Sequence, residues 1–276
     1  MGQIVGGLGT SHSPSMAAAF DKALENDPKW KPLFDGYGPA RQWLKDQRPD
    51  LLIIFYNDHM DRFSLDTYPT FAIGVGDRFP VIDEGWGRRA FPDLEGDVRF
   101  ADHVVRSLVR DEFDPMICHE LSLDHGVLSP MPYLSETYWP TAILPIAVNV
   151  LHEPLPSVRR LHKMGQSLRR AVEAYDDDYR VVVFGTGGLS HHLNGTGFGW
   201  VNPDWDNYFL DCLEGDPSEL LDYSHEDYMR LGGLESVEMM MWLGMRGALT
   251  DRVRCIHRNY HAPEITGFGL LVLEDA

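Results

Sequence analysis

Cysteine is scarce in this 276-residue chain. Cys118, Cys212 and Cys255 are scattered, form no CxxC pair, and their odd number argues against a disulfide framework. That usage fits a reducing compartment, the cytoplasm. No apolar run approaches the length that spans a bilayer. The opening stretch MGQIVGGLGTSHSPSM lacks the basic start and long apolar segment of a signal peptide. Positive charge is also in deficit: 24 Lys and Arg face 42 Asp and Glu, a net charge of −18 spread along the chain. Such a surface repels nucleic acid and anionic lipid, so neither is expected as a partner. There is no internal repeat, low-complexity tract or obvious linker, and residues 1–276 are expected to form a single domain.

What is present is a series of short apolar runs. QIVGGLG (3–9), LLIIFY (51–56), FAIGV (71–75), TAILPIAVNV (141–150), RVVVFG (180–185) and GFGLLVLE (267–274) read as strands. Runs without polar alternation suggest strands covered on both faces. Helical patterns lie between them at 101–113, 157–175 and, most strongly, 234–249. The expected fold is α/β, one layered unit with a mostly buried central sheet flanked by helices. Segment 76–98, rich in Gly, Pro and charge, reads as a long loop whose aromatic residues, Trp86 among them, favour order.

Four of the twelve histidines share a placement. His12 follows the first strand in GTSHSP, His59 follows LLIIFY in NDHM, and His191 follows RVVVFG in GTGGLSHH. His125 sits in SLDHGVLSP, a loop ahead of the strand at 141–150. Ligands of α/β sheets bind beyond the carboxyl ends of strands. Three strands thus each deliver an imidazole to one edge, and the glycines of GTGGLSHH supply backbone freedom for the turn. Clustered histidines suggest a metal. Two imidazoles and a carboxylate suit non-haem Fe(II), and zinc hydrolases use a similar set. Glu238 shares a helical face with Met241, Trp242, Met245 and Leu249, a costly place for a carboxylate unless it is paired or binds a metal. Glu235 has readier access to solvent or to a salt bridge. Asp58 and Asp124, each directly before one of these histidines, read either as orienters of the imidazoles or as turn caps.

TSHSP, YNDH, YPTFAIG, DEGWG, DHGVLSP, GTGGLSH and MWLGMRGAL occur in this order. Together they resemble the class III extradiol ring-cleavage dioxygenases, the family of the protocatechuate 4,5-dioxygenase β subunit and its gallate-cleaving relatives. The resemblance runs from about residue 3 to the C-terminus and implies a single catalytic domain. It implies that His12, His59 and Glu238 hold Fe(II), that His191 is the catalytic base, and that His125 contacts the substrate and dioxygen region. It implies extradiol cleavage of a catecholic acid such as protocatechuate, gallate or 3-O-methylgallate. His192 has no counterpart in the family pattern and receives no role.

The pattern weakens near the C-terminus. The family's carboxylate-binding serine has no match in YHAPEITGFG (260–269), where Glu264 and Thr266 fall nearby. A glutamate beside a substrate carboxylate would repel it. Either Glu264 points away or the substrate lacks that group. Arg88 or Arg89 offers a compensating charge. The protocatechuate enzyme also uses a small α subunit over its site, so a partner chain of that type, or a homo-oligomer, is expected. The alternatives are a zinc-dependent relative acting on another diol or an aminophenol, a metallohydrolase, and a non-enzymatic member of the fold. Metal content and oxygen consumption separate them.

Overall fold

The computed structural model describes residues 1–85, 87–135 and 141–276. Its strands are β1 (Gln3–Thr10), β2 (Leu51–Tyr56), β3 (Phe71–Gly74), β4 (Arg78–Phe79), β5 (Leu94–Glu95), β6 (Met116–Cys118), β7 (Ala142–Val148), β8 (Arg180–Thr186), β9 (Val253–His261) and β10 (Phe268–Asp275). Eight of them form one sheet in the order β6-β3-β7-β2-β8-β1-β10-β9. The central strands β7, β2, β8 and β1 run parallel. β3 is antiparallel to β7, and the β9–β10 hairpin closes the other side antiparallel to β1. The α/β expectation therefore holds.

Burial explains the apolar runs. All six residues of β2 are buried. Leu51, Ile53 and Phe55 enter one core while Leu52, Ile54 and Tyr56 enter the other, as the two-residue period of a strand requires. The first core is completed by helices α3 (Val98–Arg110), α6 (Val158–Glu173), α7 (Pro203–Glu214), α8 (His225–Gly232) and α9 (Met240–Gly247). The second is completed by α1 (Pro14–Asp21), α2 (Lys31–Gln47) and the one-turn helices α4 (His125–Leu128) and α5 (Met131–Leu134). The expected helix at 157–175 is α6, capped by Ser157, whose hydroxyl accepts from the Arg160 backbone N–H.

Three expectations change. The helix predicted over 234–249 is α9 preceded by a 3₁₀ segment, Leu234–Met239. Ser236 donates its one hydroxyl hydrogen to the carbonyl of Tyr228 or of Gly233, a side-chain bond that competes with a regular α-helical turn. The segment 76–98 is more than a loop: β4 and β5 pair within it as a two-stranded sheet. The Trp86 expectation lies outside the described residues. His125 stands at the first turn of α4 and not in a loop, because Asp124 caps that turn by accepting from Gly126 N at 2.9 Å.

Candidate metal centre

β1, β8 and β2 are parallel neighbours, so their carboxyl ends lie side by side. His12, His191 and His59 follow those three ends. Glu238 reaches the same point from the 3₁₀ segment ahead of α9. His12, His59 and Glu238 each offer a ligand atom, and these atoms lie within 4.8 Å of one another.

The glycines of GTGGLSHH make that approach possible. Their role is proximity, not the left-handed backbone expected of a turn: the positive-φ residues include neither Gly185 nor Gly187. A Cβ on Gly187 would lie 2.4 Å from the carbonyl oxygen of Glu238, and one on Gly185 would lie 2.6 Å from that of Met241. Only glycine lets the Glu238 backbone pass this close to the end of β8.

His12, His59, His125 and His191 are each held by Nδ1. His12 Nδ1 lies 3.0 Å from Thr186 Oγ1, whose own hydrogen goes to the carbonyls of Phe55 or Gly126. The hydroxyl therefore accepts, and His12 carries its proton on Nδ1. His59 donates Nδ1–H to Asp124 Oδ2 at 2.7 Å, and its backbone N–H reaches the same oxygen at 2.9 Å. His191 donates Nδ1–H to the Leu189 carbonyl at 2.7 Å, and its backbone N–H is held by Gly232 O at 2.7 Å. His125 pairs through Nδ1 with Glu84.

The Nε2 atoms then converge on one carboxylate. Those of His12, His59 and His191 lie 3.2, 3.4 and 3.8 Å from the oxygens of Glu238. His12 Nε2 is buried and finds no aligned hydrogen-bond partner despite that proximity. An orphaned lone pair of this kind is what a metal ligand presents. Glu238 is further held by Gly188 N–H at 3.1 Å and by Asn57 Nδ2 at 3.1 Å. The His59 and His125 rings stack with centroids 3.8 Å apart, and His12 stands edge-on to both.

The charges follow from these contacts. Burial opposes ionisation of Glu238, but His12, His59 and His191 hold its carboxyl well below the usual range. Burial likewise opposes a charge on Asp124, yet His59 draws it down to about 2. Burial keeps His12 below its ordinary value against the pull of Glu238. At His59 burial is outweighed by Asp124 and Glu238, so its pKa is raised. An ionised Glu238 and a neutral His12 are the forms in which these side chains could bind a metal, and a metal taken up at His59 would displace a proton.

The remaining predicted residues separate. Glu235 accepts from Leu193 N and Asn194 Nδ2, away from the centre. Arg246 of α9 does not pair with Glu238 and donates to the carbonyls of Leu213, Thr250, Gly215 and Asp251. Asp58 caps the turn after β2 by accepting from Arg62 N and Phe63 N. Glu264 is paired with Lys29. Arg88 pairs with Asp93. Arg89 grips Asp21 through two nitrogens at 2.7 and 3.0 Å and borders a cavity of about 360 Å³ that also meets Pro14, Ala17, Ala18, Glu84 and His125. Asn57 and Glu84 were not predicted. Asn57 directly follows β2, as His59 nearly does, and that position was the available signal.

The chain matches, over residues 6–271, the model for the catalytic LigB subunit of aromatic ring-opening dioxygenase. A gallate dioxygenase of Pseudomonas putida is 42% identical over 197 residues, which cover 71% of this chain and 58% of that protein. The chain thus spans little more than half the length of that relative. A 2,3-dihydroxyphenylpropionate/2,3-dihydroxicinnamic acid 1,2-dioxygenase of a Rhodococcus species is 26% identical over 314 residues, with 94% of this chain and 95% of the relative covered. The crystal structure of an uncharacterized Escherichia coli protein superposes with a TM-score of 0.59 over 99% of this chain and 100% of its own, at 12% identity, a likeness of fold alone. With its sheet, its histidines and its matched span taken together, the chain belongs to the family of catalytic LigB subunits of aromatic ring-opening dioxygenases.

Proposed function

We propose that residues 1–276 act as a single catalytic domain that opens a catecholic ring of the gallate type beside its hydroxyl pair, with Fe(II) and dioxygen. His12, His59 and Glu238 hold the metal, His191 is the base, and His125 serves the dioxygen side. The observation that carries this reading is the shared orientation of the imidazoles: Nδ1 is engaged in each, and three Nε2 atoms face Glu238. Two imidazoles and a carboxylate fit Fe(II). When bound, Fe(II) supplies a Lewis acid that acidifies a coordinated phenol and a redox centre through which dioxygen engages a closed-shell ring.

The residues of this chain supply the rest. Because the Nδ1–H of His191 is committed to the Leu189 carbonyl, its Nε2 is the ring nitrogen that takes the proton of a substrate hydroxyl. His125, stacked on His59 and bordering the cavity, holds a second proton-handling group at Nε2. Burial of His12 and Glu238 keeps bulk water from the ligand atoms. The Lys29 ammonium offsets Glu264, which removes the charge objection to a carboxylated substrate. The name of the 42% identical relative favours gallate over the other diols. Exposed Leu193, Phe198, Trp200 and Leu234 lie on the segments flanking His191 and Glu238, where a small α-type subunit or a second copy would cover the site. The three free cysteines suit a cytoplasmic setting, and none of the described helices is long and apolar enough to cross a membrane.

Metal analysis of His12→Ala, His59→Ala and Glu238→Ala after anaerobic Fe(II) loading tests the ligand set. Each is expected to lose bound iron. Full stoichiometry in all three contradicts the assignment, and selective retention of zinc by the unaltered protein favours the zinc-dependent alternative.

A further inference from the structure

Glu84 makes two hydrogen bonds to one residue 41 positions away. Its Oε1 accepts the backbone N–H of His125 at 3.0 Å, and its Oε2 pairs with the His125 Nδ1. The Glu84 side chain is 6% exposed and that of His125 10%. Both contacts are made as a carboxylate makes them, by accepting, so the geometry matches an Nδ1–H imidazole and leaves Nε2 as the second ring nitrogen of a residue that lines the cavity.

The segment around Glu84 is built to deliver it. Val81 bridges Leu123, with Ile82 N–H bound to Leu123 O at 3.1 Å and Leu123 N–H bound to Pro80 O at 2.9 Å. This pairing sets the register of Glu84 against His125. Asp83 Oδ1 then accepts from Gly85 N at 2.9 Å and Gly87 N at 3.0 Å. Both glycines have a left-handed backbone, φ 95° and 98°, that other residues adopt only with strain. On the far side Arg89 ties the segment to Asp21 of α1 and, at 3.2 Å, to the Leu128 carbonyl at the end of α4. The segment crosses the turn that carries His125 and is fastened on both sides of Glu84.

We infer that Glu84 is a positioning residue for His125: it fixes the ring orientation and the Nδ1–H tautomer with which His125 handles a proton in ring opening. This rests on the function proposed above for the same site. A carboxylate that orients an imidazole from behind typically changes activity by about 10-fold or more when removed.

The test compares Glu84→Ala and Glu84→Gln with the unaltered protein. Two-bond ¹H–¹⁵N correlation spectra of ¹⁵N-histidine-labelled, metal-free protein, with His125 assigned by difference from His125→Gln, read the tautomer without turnover. Oxygen uptake by the Fe(II)-loaded proteins with gallate reads kcat and KM separately. The expected result is an Nδ1–H tautomer at His125 that is lost in Glu84→Ala. It is accompanied by a fall in kcat of about 10-fold at a KM within about two-fold and unchanged iron content, with Glu84→Gln intermediate because one acceptor remains. An Nε2–H tautomer in the unaltered protein, or a Glu84→Ala variant that loses only thermal stability, overturns the inference. If the unaltered protein consumes no oxygen with gallate or any other diol, the proposed function fails instead, and the tautomer alone decides whether Glu84 orients His125.

Discussion

Asp124 Oδ2 holds His59 twice, accepting its ring Nδ1–H at 2.7 Å and its backbone N–H at 2.9 Å, while Oδ1 of the same carboxylate caps α4. One buried side chain thus orients the His59 imidazole, a proposed metal ligand, and starts the helix that carries His125. Replacing Asp124 with alanine is expected to weaken metal binding by about 10- to 100-fold. Loss of the cap removes about 1 kcal/mol of stability as well. Chelator competition against Fe(II) measures the first effect and thermal unfolding the second. Unchanged affinity with lowered stability would leave Asp124 as a cap alone.

His191 is expected to separate binding from turnover. Its Nε2 lies 3.8 Å from Glu238, farther than that of His12 or His59, and its Nδ1 is committed to Leu189. His191→Phe should retain full iron and bind gallate without oxygen, yet turn over about 10²- to 10⁴-fold more slowly. Single-turnover absorbance of the ring-opened product measures this. Near-normal turnover removes His191 from the reaction.

Gly187 links the sheet to the site. An added methyl would meet the Glu238 carbonyl oxygen at 2.4 Å, so one of the two backbones would have to shift. Gly187→Ala is expected to lower stability by about 1–3 kcal/mol through overpacking and to displace Glu238, so iron content falls along with the melting temperature. Full iron content at a lowered melting temperature would show that Glu238 tolerates the shift.

His162, on α6, contributes a pH dependence away from the site. Burial, reinforced by the charge of Arg246, lowers its pKa from 6.5 to about 4. Between those values the unfolded chain binds a proton that the folded chain refuses. The stabilisation is therefore complete above pH 6.5 and is lost as pH falls toward 4, by about 2 kcal/mol after allowance for partial solvent exposure. Urea titrations of His162→Gln across that window should show a shallower loss than the unaltered protein. Parallel curves contradict the assignment.

The parallel centre of the sheet was legible in the sequence because its strands are buried on both faces and read as unbroken apolar runs. β9 was not: it is an edge strand with no fully buried residue in VRCIHRNYH and no apolar pattern to mark it. α2 was hidden by Gly36, Gly38 and Pro39, residues that ordinarily interrupt helices. In α2, Gly36 admits Asn259 of β9 at a distance no side chain permits. His12, His59 and His191 could be grouped because each follows a strand, and the parallel order β2-β8-β1 makes those ends adjacent. Glu84 left no such trace. Its contact with His125 depends on the pairing of residues 80–82 with Leu123, which no local periodicity encodes.

Metal-dependent ring opening is decided by oxygen uptake. The protein is loaded with Fe(II) without air, gallate is added, and dissolved oxygen is followed together with the absorbance of the ring-opened product. One O2 is expected to be consumed per gallate opened, with uptake abolished by removing the iron and restored by returning it. Full iron occupancy with no oxygen consumed on gallate, protocatechuate, 3-O-methylgallate or catechol, alone or with a small α-type subunit added, would contradict it.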